Sequence, residues 1–199
     1  NWTKGLPQFF KTPHHERFTF DSARSLVDVA MATSAAPIYL PNHIIESQIF
    51  VDGGLVGNAP GFFALHEAQF NIPHPERKDV YLLSIGALSA KITANQDKSP
   101  NRGLLNWGEN LISLMMASQE GVTNYMLEQQ LKDKYLKIDE YLSPEQTKAV
   151  GLDIATEGAT QTLIGLGTSS AQTAAGTTFM KSAMEYLAQK PKFYNETNF

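Results

Sequence analysis

The sequence predicts an α/β domain built on a mostly parallel sheet. Three observations lead there. Short apolar runs bounded by turn residues recur at residues 48–51, 79–86 and 135–138, as strands do. Longer stretches with apolar residues at helical spacing lie between and after them, so strands and helices alternate along the chain. A chain of 199 residues, 42% hydrophobic and 18% charged, can bury one core. One domain is therefore expected over residues 1–190, with residues 191–199 as a flexible tail.

The first twenty residues hold Pro7, Pro13 and the pair His14-His15 among aromatic residues, which predicts irregular backbone and then a short extended piece over residues 17–20. Asp21 is the expected cap of a helix over residues 22–32, where Leu26, Val29 and Ala30 fall at helical spacing; Pro37 and Pro41 mark the exit. The run at 48–51 ends in Asp52-Gly53-Gly54, a strand delivering an aspartate into a tight turn. Pro60 suits the start of a helix through Phe70, because its missing N–H costs nothing in a first turn. A polar, proline-containing connection follows over residues 72–78.

Val80-Tyr81-Leu82-Leu83-Ser84-Ile85 is nearly continuous in apolar residues, as expected of a central strand covered on both faces. Beyond a polar loop over 91–102, Leu104, Trp107, Leu111, Met115, Val122 and Met126 approximate one helical face reaching Lys134, with Gly121 as its weak point. The cluster Leu114-Met115-Met116 reads as helix core rather than as an acyl-chain groove. Another strand is expected over 135–138. Residues 156–189 read as two helices with a break near Gly167, since four glycines and a Ser/Thr-rich middle oppose one continuous helix.

Composition excludes several functions. The net charge of −4 is mild and the 16 basic residues are scattered, so no nucleic-acid partner is expected. The absence of cysteine rules out disulfides, thiolate zinc ligation and a cysteine nucleophile within these residues. None of the five histidines falls in an H-x-x-x-H or H-E-x-x-H spacing, so no metal site is expected. No run approaches the roughly 18 apolar residues of a spanning helix, and residues 1–5 lack a signal-peptide layout. A soluble protein is expected, with the choice between cytoplasmic and secreted left open.

Three segments carry the chemistry: Ala32-Thr33-Ser34-Ala35-Ala36-Pro37, then Phe50-Val51-Asp52-Gly53-Gly54 with Asn58 and Pro60 after it, then Leu82-Leu83-Ser84-Ile85-Gly86. In this order and at these separations they resemble the patatin-like phospholipases, and the likeness extends over residues 9 to 170, including Tyr135 and Gly151-Leu152-Asp153. The resemblance implies a layered α/β/α, hydrolase-like fold and a Ser-Asp dyad in which a serine on a G-x-S-x-G elbow pairs with the aspartate of an Asp-Gly-Gly motif. Asp52 is the matching aspartate, with Gly53 and Gly54 shaping the turn behind it. A serine hydroxyl is a poor nucleophile until a base within about 2.6–3.2 Å takes its proton, which is why a carboxylate is wanted there. An aspartate is a weak base, so such a dyad draws much of its rate from an oxyanion hole and a partly dry pocket. The family works without metal or organic cofactor, and none is expected here.

Asp-Gly alone reads rather as an Asx-turn at a strand end, and the neighbouring motifs reverse this in favour of catalysis. Ser34 lacks the glycines of an elbow and is expected to pack beside the site; Ser169, in Gly167-Thr168-Ser169-Ser170-Ala171, is expected on a helix surface. No G-x-S-x-G occurs in the 199 residues, nor the glycine-rich oxyanion loop of the family. The N-terminal part of the domain is therefore expected to be missing from this chain, to be a partner of it, and to leave apolar surface uncovered. Alanine at 59 and Gly86-Ala87-Leu88 depart from the family's second asparagine and Gly-Thr-Gly. The intact protein is expected to hydrolyse phospholipids or other acyl lipids, with transient membrane contact. The alternatives are a non-catalytic module binding lipid or protein, and an α/β domain whose Asp-Gly-Gly is merely a turn.

Overall fold

A computed structural model of the protein describes residues 1–72, 79–88, 107–151 and 154–185. All but the first residue of the expected connection over 72–78, the polar loop over 91–102, Leu104, Leu152-Asp153 and the C-terminal tail lie outside them. The chain packs as two compact units, Asn1–Val80 and Tyr81–Leu187, described in turn.

In the first unit, helix α1 spans Leu26–Thr33. It starts four residues later than expected, because Ser25 and not Asp21 is its cap: the Ser25 hydroxyl accepts the Val27 N–H at 3.2 Å. Asp21 instead accepts the Lys11 N–H at 3.1 Å and pairs with Arg24. Strands β1 (His43–Ile45) and β2 (Gln48–Phe50) form an antiparallel hairpin with Ile44 opposite Ile49. β1 has no counterpart in the sequence reading. The turn residues Glu46 and Ser47 sit at positive φ, 49° and 64°, the geometry of a two-residue hairpin turn without its usual Asn-Gly signature. Ala32, Ile45 and Phe50 form the small core, with Phe10 packed on it, its ring 5.5 Å from that of Phe50. A short helix α2 (Gly54–Gly57) and helix α3 (Gly61–Phe70) follow, with Pro60 capping α3 and Leu65 fully buried.

In the second unit, β3 (Leu82–Ile85) and β4 (Tyr135–Ile138) pair in parallel, Leu82 opposite Tyr135 and Ile85 opposite Ile138. Among the described residues the strands make two two-stranded sheets, one antiparallel in the first unit and one parallel in the second. β3 has β4 as its one neighbour there, and Leu83 and Ile85 are exposed while Leu82 and Ser84 are half-buried. The expected cover on both faces is absent among the described residues.

Helix α4 (Glu109–Leu131) runs unbroken through Gly121, around which nothing lies close enough to force a kink. Its buried stripe is not the one expected. Leu127 and Leu131 are buried, Asn124 accepts the Tyr135 hydroxyl at 3.0 Å and Glu120 meets Lys137 at 2.6 Å, so this stripe faces β4. Leu114, Met115, Val122 and Met126 are exposed, which corrects the reading of the Met cluster as core. α4 carries two apolar stripes and periodicity alone cannot say which one meets the strand. Burial works against the Lys137 ammonium, but its bonds to Glu120 and Asp139 outweigh this and hold it above the ordinary lysine range.

A short helix α5 (Pro144–Ala149) opens with a Ser143/Gln146 capping box. Helices α6 (Glu157–Ala175) and α7 (Thr178–Glu185) are the expected pair, but the break falls at Gly176, not near Gly167. The hydroxyls of Thr162, Thr168, Ser170 and Thr173 donate to the carbonyls four residues back, so the Ser/Thr-rich middle is satisfied inside the helix. Ser169 lies exposed on α6, as its sequence context suggested.

Candidate active site around Asp52

β2 ends at Phe50, and two residues later the chain turns at Asp52. The turn is fastened to the end of α1 and the segment after it by two main-chain bonds: the Gly53 N–H donates to the Thr33 carbonyl at 3.1 Å and the Asp52 N–H to the Ala35 carbonyl at 3.0 Å. The Ala32 to Pro37 segment therefore holds the Asp-Gly-Gly turn through its backbone. Ala32 and Ala35, each 2% exposed, fill the space a larger side chain would need.

The carboxylate is oriented from below. Oδ1 of Asp52 accepts the Gly54 N–H at 2.6 Å, an Asx-turn that leads directly into α2. Oδ2 has no hydrogen bond among the described residues, and the residue is half-buried. One oxygen thus fixes the side chain. The turn and catalytic readings of Asp-Gly-Gly are thus compatible in one geometry.

Close packing explains the glycines. A Cβ on Gly53 would lie 2.9 Å from Oγ1 of Thr33, and one on Gly57 only 2.3 Å from Cε2 of Phe63. Gly54 is buried at the start of α2. The Phe63 ring is itself held, 4.9 Å from that of Phe9.

Ser34 is the C-cap of α1; it is exposed, and its hydroxyl donates to the Ala30 carbonyl at 2.8 Å. It is a capping residue beside the Asp52 turn, in place of the packed one expected. Asn58 is exposed in ordinary helical backbone at the end of α2. The roles of the Thr33 and Ala35 carbonyls and of Gly57 were not legible in sequence, because backbone acceptors carry no residue signature.

A second cluster braces α3. Glu67 Oε2 meets Lys11 Nζ at 2.6 Å and Asn71 Nδ2 at 3.0 Å; its Oε1 meets His14 Nε2 at 2.7 Å. Arg17 donates to Asn71 Oδ1 at 3.3 Å. Burial pushes the Glu67 carboxyl up, but the bonds from Lys11, His14 and Asn71 and the Lys11 charge prevail, bringing its pKa down to about 2. The cluster ties residues 11–17 to the helix whose Phe63 backs the turn. His43 likewise pairs with Asp28 at 3.0 Å, and His66 stacks on Phe70. Among the described residues no three His, Asp or Glu gather as metal ligands, and no helix is long and apolar enough to cross a membrane.

Comparison with known proteins locates these features. A sequence model of the patatin-like phospholipases matches residues 4–65, the stretch holding α1, the hairpin and Asp52. A cGAMP-activated phospholipase of Pseudomonas aeruginosa is 40% identical over 199 residues, 100% of this chain and 60% of that protein. A cGAMP-activated phospholipase of Escherichia coli is 34% identical over 186 residues, and one of Vibrio cholerae 32% over 182; each alignment covers 84% of this chain and 51% of the relative. The chain spans between half and three-fifths of the length of these relatives. The family-model match and these likenesses support placing the chain with the patatin-like phospholipases.

Proposed function

We propose that this chain carries the general base of a serine acyl hydrolase acting on phospholipids or other acyl lipids. Asp52 is that base, and the nucleophile is a serine on a G-x-S-x-G elbow outside these 199 residues. The observation that carries the reading is the division of labour in the Asp52 carboxylate. Oδ1 is held by the Gly54 N–H, and Oδ2 has no partner among the described residues.

In the reaction, a carboxylate oxygen of Asp52 takes the serine proton as the serine oxygen bonds to the ester carbonyl carbon. The tetrahedral oxyanion collapses, the C–O bond to the alcohol breaks, and the proton leaves with that alcohol. Water then attacks the acyl-serine with Asp52 again as base, releasing the fatty acid and restoring the serine. The oxyanion donors belong to the same outside part. In this reading the chain is the C-terminal part of a layered α/β/α domain, and the uncovered face of β3 is where further layers pack. The relatives' shared description makes cGAMP the expected activator, and the acyl-lipid substrate implies transient membrane contact.

A second reading is a patatin-like module that binds lipid or protein without hydrolysis. The test is esterase activity on a short-chain p-nitrophenyl ester, with and without cGAMP. This chain, the full-length gene product and full-length Asp52→Ala are compared. Activity only in the full-length protein, abolished by the substitution, is the expected result. Full activity in Asp52→Ala removes Asp52 from the mechanism, and silence from every protein supports the binding module.

A further inference from the structure

Helix α1 is turned the wrong way round for a free surface. The side facing the hairpin holds Ala32, 2% exposed, and Asp28, whose carboxylate meets His43 Nε2 at 3.0 Å. The large apolar residues are on the other side: Leu26 is 85% exposed, Val27 70% and Met31 50%. Ala30 and Ser34 are exposed with them, and Val27, Ala30, Met31 and Ser34 follow the i, i+3, i+4, i+7 spacing of one helical stripe. Asp28 is the one charge in the eight residues, and it is spent on His43. A helix that is apolar all round is a buried helix.

The course of the stripe says what covers it. α1 ends at Thr33, whose carbonyl holds the Gly53 N–H, and the Ala35 carbonyl just beyond holds the Asp52 N–H, so the stripe runs out at the Asp52 turn. Leu26 and Val27 stand at its far end, while the small residues Ala30 and Ser34 lead along its middle to the turn, and the Ser34 hydroxyl is folded back on the Ala30 carbonyl at 2.8 Å. Small side chains let a second element come close. A serine that gives its proton to Asp52 has to stand about 2.6–3.2 Å from a carboxylate oxygen, so the segment bearing it must approach at this end of α1. A lipid headgroup is less suited, because a helix that lies on a membrane carries cations beside its apolar face. α1 has no lysine or arginine, and Arg24 ahead of it is engaged by Asp21 and Glu46.

We propose that the outward face of α1 is the seat of the segment that carries the nucleophilic serine, an apolar element packed along Val27, Ala30 and Met31 that sets the serine against Asp52. This rests on the Ser-Asp hydrolase reading for the identity of the segment. The test puts the photo-cross-linking residue p-benzoylphenylalanine in place of Val27 in the full-length gene product, with phosphatidylcholine vesicles present, and identifies the joined partner by mass spectrometry. The expected result is a join within one chain to the peptide that holds G-x-S-x-G or to the residues directly after it. A join to a second copy, to lipid or elsewhere in the chain overturns the proposal, as does the absence of any join. Esterase activity of full-length Asp52→Ala is read beside it. An active Asp52→Ala overturns the dyad reading, whereas an inactive one with a different join overturns the seat alone.

Val27→Asp gives an independent readout. At the second position of α1 an aspartate suits the helix dipole, so on an open face it leaves the melting temperature unchanged or raises it. Beneath an apolar segment it is an unpaired buried charge, and the full-length protein is expected to melt about 5 °C or more lower. Esterase kcat is expected to fall about tenfold or more as the serine is displaced. An unchanged or raised melting temperature overturns the proposal, and if Val27→Asp does not fold the cross-link decides.

Discussion

His14 Nε2 and Glu67 Oε1 face each other at 2.7 Å across fifty-three residues of sequence, and the other oxygen of Glu67 is taken by Lys11 and Asn71. This carboxylate fixes the irregular start of the chain to α3, and its pKa of about 2 lies below the ordinary 4.5. A depressed acid stabilises the fold above its unfolded pKa, and that contribution disappears as pH falls from near 4.5 towards 2. The Glu67 side chain is 22% exposed, so solvent screening limits the effect to about 1–2 kcal/mol. Glu67→Gln is expected to lower stability by about that amount at neutral pH and to flatten the acid limb between about pH 5 and 2, as measured by urea unfolding against pH. An unaltered acid limb shows that the pairs contribute nothing to folding.

Asp52→Asn separates geometry from chemistry. The amide oxygen can still accept the Gly54 N–H, so the turn and the melting temperature should be preserved. Loss of the base is expected to reduce kcat of the full-length protein by about 10²–10⁴, with KM little changed. Steady-state kinetics together with circular dichroism check both halves.

Gly57→Ala probes the packing behind the turn. Its new Cβ would overlap the Phe63 ring, which rests on Phe9, so about 1–3 kcal/mol of destabilisation is expected. Phe63→Leu in the same chain should recover part of it, and the interaction energy of the double-mutant cycle measures the contact. Additive effects place the strain elsewhere.

The two apolar stripes of α4 can be told apart by truncation. Leu127 is completely buried and Met126, its sequence neighbour, is 45% exposed. Leu127→Ala should cost about 2–5 kcal/mol and Met126→Ala less than about 1 kcal/mol in denaturant unfolding. Comparable losses from both show that something covers the Met126 stripe in solution.

The sequence by itself determined which residues meet where a local rule sufficed. Asp52 at a strand end, the helix opened by Pro60 and the strand over 135–138 all follow from turn chemistry and short-range periodicity, and the order of three motifs named the family. Boundaries were less legible because Ser25 competes with Asp21 for one cap, and because the Ser/Thr hydroxyls around Gly167 are satisfied inside α6. Hairpin strand β1 was hidden by a Glu-Ser turn without a glycine. Tertiary structure alone decided the rest. Only folding brings the Thr33 and Ala35 carbonyls beneath Asp52, chooses the Leu127 stripe over the Met126 stripe, and sets Asp139 under Gly86 fifty-three residues earlier. Those contacts join residues distant in sequence, often through backbone atoms that every residue shares, so no local pattern can encode them.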